Sequence, residues 1–159
     1  MAERLKYEDD IPHVIAPPPL IYLVPLIGAL LLDFRMPRPL LTFPWTLIAG
    51  LLLIVSSGFF LAPAITAFRA AKTKPQPWKP TTALVAAGPY RITRNPMYVA
   101  FTLLYAGIAL WMNTVWPFIV LPVVLVVMQF FVIHREERYL DRKFGDEYRA
   151  YRARVRRWI

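Results

Sequence analysis

Two long stretches of this chain carry no charge. Residues 39–68 and 95–133 contain no Asp, Glu, Lys, Arg or His. A water-soluble domain interleaves polar and apolar residues around one core, whereas a helix that crosses a bilayer needs roughly 20 apolar residues for about 30 Å of hydrocarbon. Charge segregation on this scale therefore predicts an all-α, polytopic membrane protein. The composition agrees, with 57% hydrophobic residues and a mean hydropathy of +0.43.

Four spans account for the apolar runs. The first covers about 15–32 and is broken by Pro17, Pro18, Pro19 and Pro25; the second covers about 43–67. The run Met97–Ile133 is 37 residues long. As one helix it would measure about 55 Å, too long for a single crossing. The break falls at "WMNTVW", where Asn113 and Thr114 are polar and Trp111 and Trp116 suit an interface. Spans at about 97–112 and 115–133 then form a hairpin.

The charges fix the expected orientation. Of the 19 Lys and Arg residues, two lie in the N-terminal tail, six between Arg69 and Arg94, and nine after His134. Four spans put these 17 on one side and leave only Arg35 and Arg38 on the other, the bias expected of cytoplasmic termini, at the inner membrane if the source is bacterial. Three or five spans would split the basic loop from the basic tail.

The same placement explains the net charge of +9 without nucleic acid, because the cations border apolar spans. The N-terminal "MAERLKYEDDIPH" is mixed and partly acidic, unlike a signal peptide's basic start, so the first span is expected to be retained. The absence of cysteine excludes disulfides, thiolate metal sites and a cysteine nucleophile, and His13 and His134 are too few for a metal centre.

In the tail, Leu140, Phe144, Tyr148, Tyr151, Val155 and Trp158 recur at steps of three and four, one face of a helix. Gly145 is expected to interrupt that cytoplasmic amphipathic helix, with Asp146 capping a second one. A basic amphipathic helix lying on anionic lipid is one reading of this pattern. It leaves unexplained the paired Glu136-Glu137 directly after the last span.

Two polar segments, about 84–98 and 134–151, flank the last hairpin and should meet at its base. Arg94, Asn95 and Tyr98 would then face His134, Arg135, Glu136 and Glu137. Together they offer a planar fork for an anion, carboxylates for hydroxyls or a cation, and amide and phenol donors, the complement of a zwitterionic ligand. Gly88 permits close backbone approach, and Pro89 and Pro96 stiffen the segment. The plainer alternative makes Arg91 and Arg94 flanking cations, Tyr90 and Tyr98 interface anchors, and the glutamates partners of nearby arginines. There is no Gly-rich dinucleotide loop and no Ser–His–Asp set.

"GPYRITRNPMY" (88–98) followed by "REERYLDRKFGDEYRAYRARVRRWI" (135–159) resembles the isoprenylcysteine carboxyl methyltransferase family of integral membrane enzymes and its phospholipid N-methyltransferase relatives. That resemblance covers roughly residues 69–159. It implies transfer of a methyl group from S-adenosyl-L-methionine, with S-adenosyl-L-homocysteine as product, to a lipophilic or membrane-embedded carboxylate, amine or thiol. Carried onto this chain, the cofactor site would use Gly88, Tyr90, Arg94, Asn95, Pro96, Tyr98, Glu136 and Glu137. Arg94, Asn95 and Glu137 would stand nearest the chemistry, and Arg69 would meet the acceptor's headgroup. The eukaryotic carboxyl methyltransferases have Arg-His-Pro where this chain has Arg94-Asn95-Pro96, and an amide cannot shuttle a proton near neutrality.

The implied partners are the lipid bilayer and a lipophilic methyl acceptor, with neither nucleic acid nor metal; nothing in the sequence speaks to oligomeric state. Two other readings stay open. One is an NADPH-dependent membrane reductase, since sterol reductases have a similar C-terminal region. The other is a non-enzymatic membrane adaptor with a basic tail.

Overall fold

The computed structural model describes residues 10–41 and 44–159. Arg4 and Lys6 of the N-terminal tail, and the expected start of the second span at Phe43, lie outside the described residues. The described residues are helical, without strands: α1 Pro18–Arg35, α2 Trp45–Ala70, a 3-10 turn Gly88–Arg91, α3 Pro96–Trp111, α4 Trp116–Val127, a π-helical turn Met128–Ile133, α5 His134–Phe144 and α6 Asp146–Arg154.

Among the described residues, three helices are long and apolar enough to cross a membrane: Pro18–Arg35, Trp45–Ala70 and the continuous Trp116–Phe144. The apolar helix Pro96–Trp111 is shorter, at 16 residues. Several boundaries differ from those read in the sequence. The first helix starts at Pro18 rather than near Ile15, because Pro18 and Pro19 fit an N-terminal turn, where a missing N–H costs nothing. It also runs past Leu32 to Arg35, taking Asp33 into its last turn. The last helix does not end at Ile133. At 29 residues it is about 43 Å long, so its final third extends past the hydrocarbon.

Packing follows membrane rules, with small residues inside and large apolar ones outside. On α2 the buried positions are Thr46, Gly50, Ser57 and Ala64, while Leu52, Val55 and Phe59 are exposed. This face pairs with α3 in the most extensive helix contact of the fold. Gly50 and Gly107 meet at the seam, where a Cβ on Gly50 would stand 2.6 Å from the Trp111 nitrogen and 2.7 Å from the Gly107 oxygen. Tyr22 ties α1 to α3 through a 2.9 Å hydrogen bond between its hydroxyl and Thr102 Oγ1. Around it, Leu26, Tyr105, Val124 and Met128 form the buried core between α1, α3 and α4.

The two short turns lock together at one end of the bundle. Asn113 adopts φ +51°, a left-handed conformation that asparagine tolerates, and ends the α3–α4 hairpin. Its Oδ1 accepts from the Leu40 and Leu41 amides at 3.1 Å, and its Nδ2 donates to the Leu41 carbonyl at 2.9 Å. Thr114 Oγ1 donates to Asp33 Oδ1 at 2.8 Å, and the Trp116 indole donates to the Met36 carbonyl. The polar segments 88–98 and 134–151 gather at the opposite end.

Candidate functional site

Gly88 takes φ +60°, a left-handed conformation that glycine adopts without a Cβ penalty, and starts the 3-10 turn. That conformational need is what the structure assigns to it. Gly88 does not line the cavity at this end of the bundle, and a Cβ there would meet nothing closer than 4.0 Å. The turn sets Tyr90 against Phe68 of α2, edge to face at 5.6 Å, and delivers Arg94 and Asn95 to the start of α3. Pro96 is fully buried in the first turn of α3 and shapes the backbone without reaching the cavity.

Across from these residues, α5 supplies Glu136 and Glu137. The π-helical turn before it widens the helix by a residue per turn and so resets which face points inward. Arg94 Nη1 lies 3.0 Å from Glu137 Oε1, and both side chains are only 11% exposed. The Tyr98 hydroxyl donates to Glu136 Oε1 at 2.6 Å. Arg94 Nη1 also donates to the Tyr148 hydroxyl at 3.4 Å, and the Tyr151 hydroxyl donates to the Tyr90 carbonyl at 2.8 Å.

Tyr90, Arg94, Asn95, Tyr98, Glu136 and Glu137 line one cavity of about 110 Å³. Its other walls come from Phe68, from Tyr139, Tyr148 and Tyr151 on the tail helices, and from a cover of Pro12 with residues 74–77. Arg69 is elsewhere, exposed at the end of α2 and outside the lining. Two buried polar atoms on this cavity have no partner among the described residues: Arg94 Nε, a donor, and Gln76 Oε1, an acceptor. Leaving a buried polar group unmatched costs about 1–3 kcal/mol, so a ligand group that reached either atom would be stabilised by pairing with it.

Burial governs the electrostatics. The Glu136 carboxyl is pushed up to about 7 by desolvation, against the Tyr98 hydrogen bond and with the neighbouring Glu137 charge adding to the rise. Burial likewise raises the hydroxyls of Tyr90, Tyr148 and Tyr151, so all three remain neutral donors or acceptors at physiological pH.

The tail's periodic face turns inward. Tyr148 and Tyr151 are buried, and Leu140 and Phe144 half-buried, so the stripe packs on the protein rather than lying free for lipid. Gly145 breaks the tail at φ +52°, but the cap differs from expectation. Gly145 itself occupies the N-cap, and Asp146 sits in the first turn of α6 with its carboxylate held by Arg149 at 2.8 Å. Gln76, Tyr139 and Arg157 carry no sequence signal that would single them out. Tyr139 lines the cavity and bridges the Thr81 amide and Asp10, while Arg157 binds Glu137.

A family model described as phospholipid methyltransferase matches residues 45–147. An uncharacterized protein of Haemophilus influenzae is 40% identical over 63 residues, which make up 40% of this chain and 100% of that protein. No solved structure matches the chain.

Proposed function

The chain belongs to the phospholipid methyltransferase family, and on that premise we propose that it transfers a methyl group from S-adenosylmethionine to a lipophilic acceptor at the cytoplasmic membrane face. The observation that carries this reading is the cavity itself. The two segments flanking the α3–α4 hairpin meet there, and its lining residues Arg94 and Gln76 each carry a buried polar atom with no partner among the described residues. These residues fit a zwitterionic cofactor.

When bound, that cofactor supplies an electrophilic methyl group on a sulfonium. The chain supplies position and dehydration, which for a nucleophile already ionised can provide most of the acceleration. Arg94 would hold the cofactor carboxylate, and Gln76 Oε1 would accept from a ligand N–H or O–H. Glu136, aimed by Tyr98, would face the amino group or ribose hydroxyls. Asn95 serves as a hydrogen-bonding group, not a base. An amine or thiol acceptor must also lose a proton, and Glu136 is the cavity carboxylate whose ionisation lies near neutrality. The free volume, about 110 Å³, is below the roughly 300 Å³ of pockets that enclose drug-sized ligands, so Pro12 and residues 74–77 would move outward on binding. Arg69, exposed at the end of α2, is placed for an acceptor headgroup beyond the cavity.

The short α3 would be a fourth crossing. It is about 24 Å long and joins the cavity end to the interlocked turns at the other end, the depth that α4 and the π-helical turn after it cover together. Four crossings set 17 of the 19 Lys and Arg on the cavity side, which assigns that side to the cytoplasm.

Purified protein given methyl-labelled S-adenosylmethionine and a membrane lipid extract should label one lipophilic species, and its identification by mass spectrometry names the acceptor. If no extractable species gains label while S-adenosylhomocysteine still binds, the acceptor class is wrong; if neither occurs, so is the cofactor.

A pH dependence arises from Glu136. Below about 7 its carboxyl is protonated in the free site and must ionise to meet a cationic group. Affinity for S-adenosylhomocysteine therefore climbs by up to about tenfold per pH unit and levels off above neutrality. Glu136→Gln should flatten that profile in calorimetric titrations from pH 5.5 to 8.5, and an unchanged slope would remove Glu136 from the ligand's contacts.

A further inference from the structure

Residues 155–159 run beside Thr93, Arg94 and Asn95 as a strap. The Arg94 amide donates to the Arg156 carbonyl at 2.9 Å. Thr93 Oγ1 and Asn95 Nδ2 both donate to the Arg157 carbonyl, at 3.0 and 2.9 Å. Farther along, the Trp158 indole donates to Gln129 Oε1 at 3.1 Å. Held this way, the Arg157 guanidinium forks onto Glu137, with Nε 2.9 Å from Oε1 and Nη2 2.7 Å from Oε2.

The acceptor count then decides which glutamate is available. A carboxylate has about four lone-pair positions. Both oxygens of Glu137 already meet cations: Arg157 donates to each of them, and the Arg94 guanidinium lies against Oε1 as an ion pair at 3.0 Å. A pair of hydroxyls would compete with these cations for the same two oxygens. Glu136 accepts only from Tyr98 among the described residues and keeps the rest. We infer that Arg157 is a positioning residue of the cofactor site. It pins Glu137, Glu137 fixes Arg94, and Arg94 is thereby held in the cavity wall, leaving Glu136 as the carboxylate that meets the ligand. The inference rests on the cofactor reading proposed for this cavity, and it concerns a segment beyond the 45–147 matched by the family model.

The test is S-adenosylhomocysteine affinity of the full chain in lipid nanodiscs, by calorimetry. Arg157→Ala should weaken binding about tenfold through loss of a charge-assisted pair that aims Arg94. Arg157→Lys should recover little of it, because an ammonium lacks the fork. The Arg157 side chain is 32% exposed, so millimolar guanidinium ion can reach the vacated place and restore the Ala variant. A strap that matters only for folding would show no such rescue. In a Glu137→Gln background the same Arg157→Ala change should alter affinity less than twofold, and Arg154→Ala, which removes an exposed cation, should leave binding at the wild-type level. Wild-type affinity in Arg157→Ala, full function in Arg157→Lys without guanidinium response, or independent losses at 137 and 157 would each overturn the inference while the cofactor reading stands. Wild-type protein that binds no S-adenosylhomocysteine overturns both.

Discussion

Arg94→Ala should raise the dissociation constant for S-adenosylhomocysteine a hundredfold or more, and methyl transfer should fall with it. At a side chain this buried, a guanidinium meeting a carboxylate makes two charge-assisted hydrogen bonds, together about 3–5 kcal/mol, or roughly two to three orders of magnitude in affinity. The substitution spares the fold. Glu137 keeps its forked partner in Arg157, so no buried carboxylate is stranded, and the backbone bond from residue 94 to the Arg156 carbonyl is unaffected. Thermal unfolding of the variant should therefore stay within a few degrees of wild type while calorimetry shows almost no heat. Arg94→Lys should fall between the two, keeping the charge and losing the planar geometry. Binding of the Ala variant within threefold of wild type would leave Arg94 a flanking cation, the plainer of the two readings its sequence position allows.

That ambiguity shows what was legible in the sequence. Charge segregation exposes membrane helices because hydrocarbon tolerates so few charges, and the polar Asn113-Thr114 inside a 37-residue uncharged run could only be a turn. From the hairpin followed the meeting of Arg94 with Glu137, 43 positions apart. Helix ends were less legible. Asp33 looks like a boundary, but Thr114 and the Arg38 amide satisfy its carboxylate across the loop, so the helix runs on. Nothing in the composition after Ile133 announces that the helix continues through a π turn, because the apolar pattern stops there while the backbone bonds do not.

Long-range contributions were the least legible. Gln76 sits in a proline-rich loop without periodicity. Arg157 is one of nine tail cations, all of which the positive-inside bias explains equally well. The tyrosine stripe of the tail has a helical period that fits a lipid surface or a protein groove, and only the fold distinguishes them. On α2 the hydrophobic pattern is mute, because leucine faces lipid and glycine faces protein, the reverse of a soluble core.

The seam between α2 and α3 carries the second large effect. Gly50→Ala adds one methyl, and its carbon would stand 2.6, 2.7 and 3.0 Å from backbone atoms of Trp111 and Gly107. Backbone cannot turn aside as a side chain would, so the helices must separate along their main contact. Overpacking of this kind costs about 3 kcal/mol or more, which for a chain of this size lowers the melting temperature by roughly 6–12 °C. Gly28→Ala and Gly58→Ala are the controls. Neither Cβ would meet an atom within 4 Å, and alanine's better helix propensity makes each neutral to slightly stabilising. Gly50 lies beside Trp111, at the end of the bundle away from the cavity, so the Gly50 variant that remains folded should bind S-adenosylhomocysteine with unchanged affinity. A Gly50→Ala protein that melts like wild type would mean the two helices are not held at this distance. One that melts normally and loses affinity would place the cofactor at the wrong end of the bundle.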